Sequence, residues 1–160
     1  IKTVDYFSDY QFIVAGAPNI ELSYYTSILK NKKIKVLENK TYELLSISYA
    51  AIVTSGTATL ETALFRVPQV VCYKSSYLSY IIAKLIVNIK YISLVNLIMD
   101  QEIVRELVQQ HCNKDKITIE LKKVLNLDHR KSLKVKYDEL ISVLGDYGTS
   151  KRVAVDIIKK

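Results

Sequence analysis

The chain has 160 residues, enough for one domain or one lobe of a larger protein, and it is 49% hydrophobic with 24% charged residues, so a globular core is within reach. The formal net charge of +7 admits nucleic acid, anionic lipid or phosphorylated substrates. The lysines are dispersed in pairs such as Lys32-Lys33 and Lys122-Lys123, and no aromatic-rich basic strand is present, so RNA reading and a nucleic-acid partner are not expected. Two cysteines, Cys72 and Cys112, make no disulfide framework and suit a reducing cytosol. His111 and His129 lack metal-ligand spacing, so no metal is expected. There is no signal peptide and no run of 18 apolar residues. The chain opens at Ile1 rather than methionine, so it reads as a fragment, with Ile1 to Tyr10 as the middle of a helix from a longer protein.

Taken in order, Phe12 to Pro18 is a short apolar run closed by Gly16 and Pro18, so it reads as a strand and its exit loop. Glu21 to Asn31 is a predicted helix, Ile34 to Leu37 a strand, and Thr41 to Tyr49 a second helix. Ala51 to Thr54 is a strand and Thr57 to Phe65 a helix. Gln69 to Lys74 is the next strand, Tyr77 to Val87 a helix, and Tyr91 to Leu94 a last strand. The strand runs are apolar without alternation, which is the pattern of a parallel sheet covered on both faces. The prediction is an α/β fold with a Rossmann-like parallel sheet and a helical C-terminal extension.

Beyond residue 100 the pattern reads as helical. Ile103, Val104, Leu107 and Val108 form one apolar stripe. Ile117, Leu121, Val124 and Leu125 form a second, and Leu133, Tyr137, Leu140, Ile141 and Leu144 a third. Gly145 and Gly148 separate that helix from a final one, Thr149 to Ile158. Residues 1–112 are taken as the lobe, and 113–160 as helices packing on it or on a missing partner.

The most informative stretch is Ala50 to Glu61, a buried strand, a Ser55-Gly56-Thr57 turn and a helix start. Glycine lets a ligand approach the backbone, and unpaired N–H groups at a helix start bind anions, usually phosphate. Glu61 lies one turn in, within reach of a sugar hydroxyl beside such a phosphate. The competing reading is an ordinary connection with Glu61 as a cap, but a capping box needs the glutamate three residues after the cap, and Thr57 to Glu61 is four. Ligands in parallel sheets bind at the carboxyl ends of strands. The Ser55–Thr57 turn, the Tyr73-Lys74 exit and Asn96 all fall at such ends. A nucleotide-sugar site is the first hypothesis.

The run Ser55-Gly56-Thr57-Ala58-Thr59-Leu60-Glu61-Thr62-Ala63-Leu64 resembles the C-terminal lobe of the lipid-A-disaccharide synthases, which are GT-B glycosyltransferases of lipopolysaccharide synthesis in Gram-negative bacteria. The likeness continues through Val67 to Lys74, Ala83 to Val87, Tyr91 to Ile98 and Glu102 to Leu107, and covers roughly residues 11 to 125. The resemblance implies transfer of a sugar from UDP-2,3-diacylglucosamine to 2,3-diacylglucosamine 1-phosphate, forming a β-1,6-linked disaccharide 1-phosphate and releasing UDP, with no metal and no cofactor. It implies that Ser55, Gly56, Thr57 and Ala58 approach the diphosphate and that Glu61 holds the ribose. Tyr73 and Asn96, with Glu102 and Arg105 behind Asn96, would line the cleft. It also implies a peripheral protein at the cytoplasmic face of the inner membrane, and it admits a homo-oligomer.

The family usually has proline where Val95 stands. The glycine- and arginine-bearing phosphate loop expected before Phe12 is missing, and so is the acceptor lobe with its general base, so the catalytic residue is not assigned and the chain alone should not turn over. Tyr77, Leu78, Tyr80, Ile81, Ile82, Leu85 and Ile86, punctuated by Lys74, Lys84 and Lys90, either pack on the sheet or meet acyl chains at the bilayer surface. The alternatives are another GT-B UDP-sugar lobe and a non-catalytic nucleotide-binding module.

Overall fold

The computed structural model describes residues 2–29, 34–76 and 90–145. The helices expected over 77–87 and 149–158 lie outside them, as does most of the apolar segment read as a membrane contact. Among the described residues no helix is long and apolar enough to cross a membrane.

The architecture is α/β: parallel strands flanked by helices, a Rossmann-like lobe with a helical C-terminal part. The first half alternates strictly, with β1 (Ile13–Gly16), α1 (Leu22–Leu29), β2 (Lys35–Glu38), α2 (Thr41–Ile47), β3 (Ala51–Thr54), α3 (Thr57–Leu64) and β4 (Gln69–Tyr73). Then come α4 (Leu94–Met99), β5 (Arg105–Val108), α5 (Lys114–Leu125) and α6 (Leu127–Leu144). All pairings are parallel, but they form two sheets. One joins β1 to β2, with Ile13 opposite Lys35. The other runs β3-β4-β5, with Ala51 opposite Gln69 and Val70 opposite Arg105.

Three sequence expectations are corrected. Residues 2–10 hold a single 3-10 turn, Val4–Tyr6, rather than the middle of a helix. Tyr91 to Leu94 is not a strand: Ser93 caps α4, its hydroxyl accepting from the Asn96 N–H at 3.3 Å. The apolar group Ile103, Val104, Leu107 and Val108 belongs to β5 and its approach, not to a helix. Four apolar positions in six residues fit either period, and the short run decides for a strand.

The core is one cluster. Val70 and Val71 of β4, fully buried, share it with Val95, Val104 and Leu107 and with Ala63 of α3. The second and third apolar stripes face the core over most of their length: α5 buries Leu121 and Val124 and α6 buries Leu133, Tyr137 and Leu140 in the same cluster, whereas Leu144, at the end of the third stripe, is exposed. Asn126 separates the two helices in extended backbone, and its side-chain oxygen caps α6 by accepting from the Asp128 and His129 N–H groups. Gly145, at φ 76°, ends α6. Burying a large side chain contributes about 1.5–3 kcal/mol, so α6, with three fully or nearly fully buried side chains, is bound to the lobe as part of its core.

Candidate functional site

The site begins where β3 ends. Its last residues direct their backbone at β4, since the Ser55 N–H donates to the Cys72 carbonyl at 3.0 Å. Gly56 then takes φ 150° and ψ −163°, a conformation that L side chains rarely adopt, and α3 starts at Thr57. Gly56 is the residue that precedes the helix, and no side chain caps it. The Thr59 hydroxyl donates backward to the Gly56 carbonyl at 2.8 Å and does nothing for the N–H groups of Thr57 and Ala58. Gly56, Thr57 and Ala58 are exposed, and a Cβ at Gly56 would meet no atom within 4 Å. The result is an open ledge with donors unpaired among the described residues and the positive end of a helix dipole.

Glu61 stands one turn along α3, half-buried, and its carboxylate makes no hydrogen bond or ion pair among the described residues. Tyr73 closes β4 at the same sheet edge, beside Val108. Ser75, just past it, is held by Gln109: the Ser75 N–H donates to Gln109 Oε1 at 3.1 Å. Ser55 is less free than its neighbours, because its hydroxyl donates to the Ile92 carbonyl at 2.7 Å. That bond ties the ledge to the start of α4.

There the structure shows a cluster that the sequence reading did not assign. Glu106 of β5 faces the start of α4. Its Oε2 accepts from the Ile92 N–H at 2.9 Å. Its Oε1 accepts from the Ser93 N–H, the Ser93 hydroxyl and Asn96 Nδ2 at 2.9, 2.8 and 2.8 Å. Asn96 is fully buried. Its Nδ2 also donates to the Val104 carbonyl at 2.8 Å, and its Oδ1 accepts from the Ile103 and Val104 N–H groups at 2.8 and 3.0 Å. Two donors and two acceptors are thereby all used. Asn96 therefore supports the cleft wall from behind and has no polar capacity left for a ligand. A glutamate beside two apolar residues of a short strand, 13 residues after a serine that can cap a helix, was the available signal for Glu106.

Glu102 and Arg105, read as lying behind Asn96, are placed elsewhere. Arg105 opens β5 opposite Val70, toward the amino ends of the strands. It pairs with Glu102 at 2.8 Å, with both side chains about half exposed. Adjacency in sequence put these two residues in the cleft, whereas the strand direction of β5 carries them away from the Ser55 turn.

Two features bear on reactivity. Burial, with the neighbouring Cys112, 40 positions on in sequence, as the second cause, pushes the Cys72 thiol up to about 12. Cys72 is thus a packed thiol and not a nucleophile. Two hollows of the surface lie away from the ledge. One, of about 290 Å³, lies between the N-terminal turn and β1 and is lined by Phe7, Tyr10 and Phe12. The other lies along α1 at Ile20 and Tyr24. Neither is lined by residues of the Ser55–Thr57 turn.

Residues 6–155 match the family described as lipid-A-disaccharide synthetase. A lipid-A-disaccharide synthase of Anaeromyxobacter dehalogenans (strain 2CP-C) is 33% identical over 154 residues, 94% of this chain and 40% of the relative. That of Syntrophus aciditrophicus (strain SB) is 37% identical over 131 residues, 79% of this chain and 34% of the relative. That of Pseudoalteromonas translucida (strain TAC 125) is 41% identical over 107 residues, 66% of this chain and 28% of the relative. The chain thus spans about two fifths or less of the length of these curated relatives.

Proposed function

This chain belongs to the lipid-A-disaccharide synthetase family, and on that footing we propose that it is the donor-nucleotide lobe of a glycosyltransferase. The substrates in this reading are UDP-2,3-diacylglucosamine and 2,3-diacylglucosamine 1-phosphate, and the products are the β-1,6-linked disaccharide 1-phosphate and UDP. The observation that carries it is the ledge: an uncapped helix start at Thr57, an exposed Gly56 that brings backbone to ligand, and, one turn away, the Glu61 carboxylate, without a partner among the described residues.

The chemistry suits those parts. Sugar transfer builds negative charge on the departing diphosphate. The N–H groups of Thr57 and Ala58, fixed before the ligand arrives, stabilise that charge as oriented dipoles. The Glu61 carboxylate accepts hydrogen bonds from ribose hydroxyls, and Tyr73 forms the wall beside them. Ser55 and, behind it, Ser93, Asn96 and Glu106 hold the ledge against α4. The general base lies outside this lobe, and the lobe alone is inactive. Both substrates carry acyl chains, so the enzyme works at the cytoplasmic face of the inner membrane, where a positively charged protein is attracted to anionic lipid.

Titration of the chain with UDP, followed by amide NMR, tests the reading. The Gly56, Thr57 and Glu61 amides are expected to shift first. Shifts confined to residues beyond 113 would place the nucleotide elsewhere and overturn it.

A further inference from the structure

Where β5 ends, the backbone takes an unfavourable step. Gln109, the residue after Val108, has φ 49°, in the left-handed region that residues bearing a Cβ enter at a cost. It does so while buried, at 8% exposure. Strained residues of this kind persist only where their surroundings hold them, and they gather at binding sites.

The side chain of Gln109 grips Ser75. Pairing between β4 and β5 stops with Tyr73 opposite Val108. Beyond that rung the left-handed step turns the backbone away into the 3-10 turn Gln109–His111, where the Cys112 N–H donates to the Gln109 carbonyl at 3.0 Å. The side chain stays behind and takes over from the lost ladder. Gln109 Oε1 accepts from the Ser75 N–H at 3.1 Å, and Nε2 donates to the Ser75 hydroxyl at 3.4 Å. A primary amide offers the same carbonyl and N–H as a peptide group, so the chain leaving β4 still has a partner after β5 has turned off. The second bond is long, and the grip rests mainly on the first.

This overhang lies beside the ledge. β4 pairs with β3 with Cys72 opposite Thr54, and the Ser55 N–H extends the contact by donating to the Cys72 carbonyl at 3.0 Å. Carried on by two residues, that register sets Lys74 level with Gly56, one strand spacing of about 4.8 Å away. Tyr73, half-buried, and Lys74, exposed, therefore border the ledge from the side of β4. The Lys74 ammonium makes no ion pair among the described residues. A cation free to move onto a ligand, next to fixed helix-start donors, complements a diphosphate.

We infer that Gln109 is a positioning residue of the nucleotide site: its amide holds the β4 overhang extended, so that Tyr73 and Lys74 flank a nucleoside diphosphate seated on the ledge. The inference rests on the donor-lobe reading above. Gln109 touches no ligand and acts through Ser75. An overhang fixed before the ligand arrives spares binding the entropy of ordering it.

Gln109→Asn separates the grip from the backbone. Asparagine tolerates the left-handed conformation better than glutamine does, but its amide is one methylene short of Ser75. In this variant of the 160-residue chain, exchange of the Ser75 amide is expected to quicken roughly tenfold while that of Val71 is unchanged. UDP affinity, followed by the Gly56 amide shift, should fall about fivefold, the ordinary contribution of one hydrogen bond. Ser75→Ala removes the long bond and keeps the short one, so it should bind UDP within about twofold of the parent. A Gln109→Asn protein with a freed Ser75 amide and unchanged UDP affinity makes Gln109 structural only and overturns the inference, with the ledge reading intact. A Ser75 amide that stays protected also overturns it. UDP that leaves Gly56 and Thr57 unmoved in the parent chain overturns the ledge reading instead, and the inference falls with it. If Gln109→Asn does not fold, Gln109→Gly, which adopts the left-handed step freely, takes its place in the same measurements.

Discussion

Replacing Asn96 by aspartate puts two carboxylates in contact and should make stability depend on pH in a way the parent chain does not. The introduced carboxylate keeps the oxygen that accepts from the Ile103 and Val104 N–H groups. The nitrogen that is lost donates to Glu106 Oε1 at 2.8 Å and to the Val104 carbonyl at 2.8 Å. Two unit charges 2.8 Å apart repel by about 6 kcal/mol at an effective dielectric constant of about 20. The folded variant avoids this by retaining one proton between the two groups, so the pair titrates above the ordinary carboxylate value of about 4. A raised folded-state pKa contributes stability that is fully present below the unfolded value and is lost as pH rises through the folded one. The deficit of Asn96→Asp against the parent should therefore grow by about 1.4 kcal/mol per pH unit above about pH 4, reaching about 4 kcal/mol at pH 7. That is a large share of the roughly 5–15 kcal/mol of a typical domain. Asn96→Ala is the control. It orphans two backbone N–H groups at about 1–3 kcal/mol each, with no dependence on pH. Urea unfolding by far-UV circular dichroism at pH 5, 6 and 7 gives both gaps. A gap for Asn96→Asp that is the same at all three values would refute the Asn96–Glu106 contact as the origin of the effect.

Two further outcomes follow from single residues. On the proposed donor-lobe reading, Glu61→Ala in the full-length protein should weaken donor binding tenfold or more and leave acceptor binding within about twofold, since charge-assisted bonds to ribose hydroxyls would contribute about 1.5–3 kcal/mol each; equal losses for donor and acceptor in a kinetic titration would return Glu61 to a structural role. Tyr137 is fully buried, and burial pushes its phenol up to about 12 from an ordinary value near 10. The neutral phenol is favoured in the folded state, so stability is intact below pH 10 and should fall by roughly 1.4 kcal/mol per unit from there to pH 12. Tyr137→Phe should flatten that slope in thermal unfolding, and an unchanged slope would mean that other groups cause it.

The alternating half of the fold was legible because its signals are local. Apolar runs of four or five residues, closed by Gly16, Gly56 or Pro68, mark strands and turns without knowledge of the rest, and the Ala51–Thr54 strand falls where it was read. The failures come where the pattern is short and the deciding partner is distant. Whether Val104 to Val108 is helix or strand depends on β4 lying beside it, which no spacing within that segment reveals. The Ser55 turn was visible, as was its helix start. The saturation of Asn96 was not, since it requires Val104 and Glu106 to fold back over α4. The same fold-back shows why Glu102 and Arg105, close to Asn96 in sequence, point to the other end of the sheet. The division into two sheets was also hidden, because the strand order depends on non-local pairing.

Gly56 carries a consequence about handedness. Its φ of 150° and ψ of −163° are the mirror image of an ordinary extended conformation for an L residue. Open space surrounds the position where a Cβ would sit. An L side chain is therefore refused by torsion alone and not by collision. The enantiomeric residue meets neither obstacle: D-alanine at position 56 would sit in its own relaxed extended basin and hold the turn more firmly than glycine, which has more conformational freedom to lose. The ledge is thus a place where the backbone selects for the absence of chirality, and where chemical synthesis can supply a residue that ribosomal translation does not.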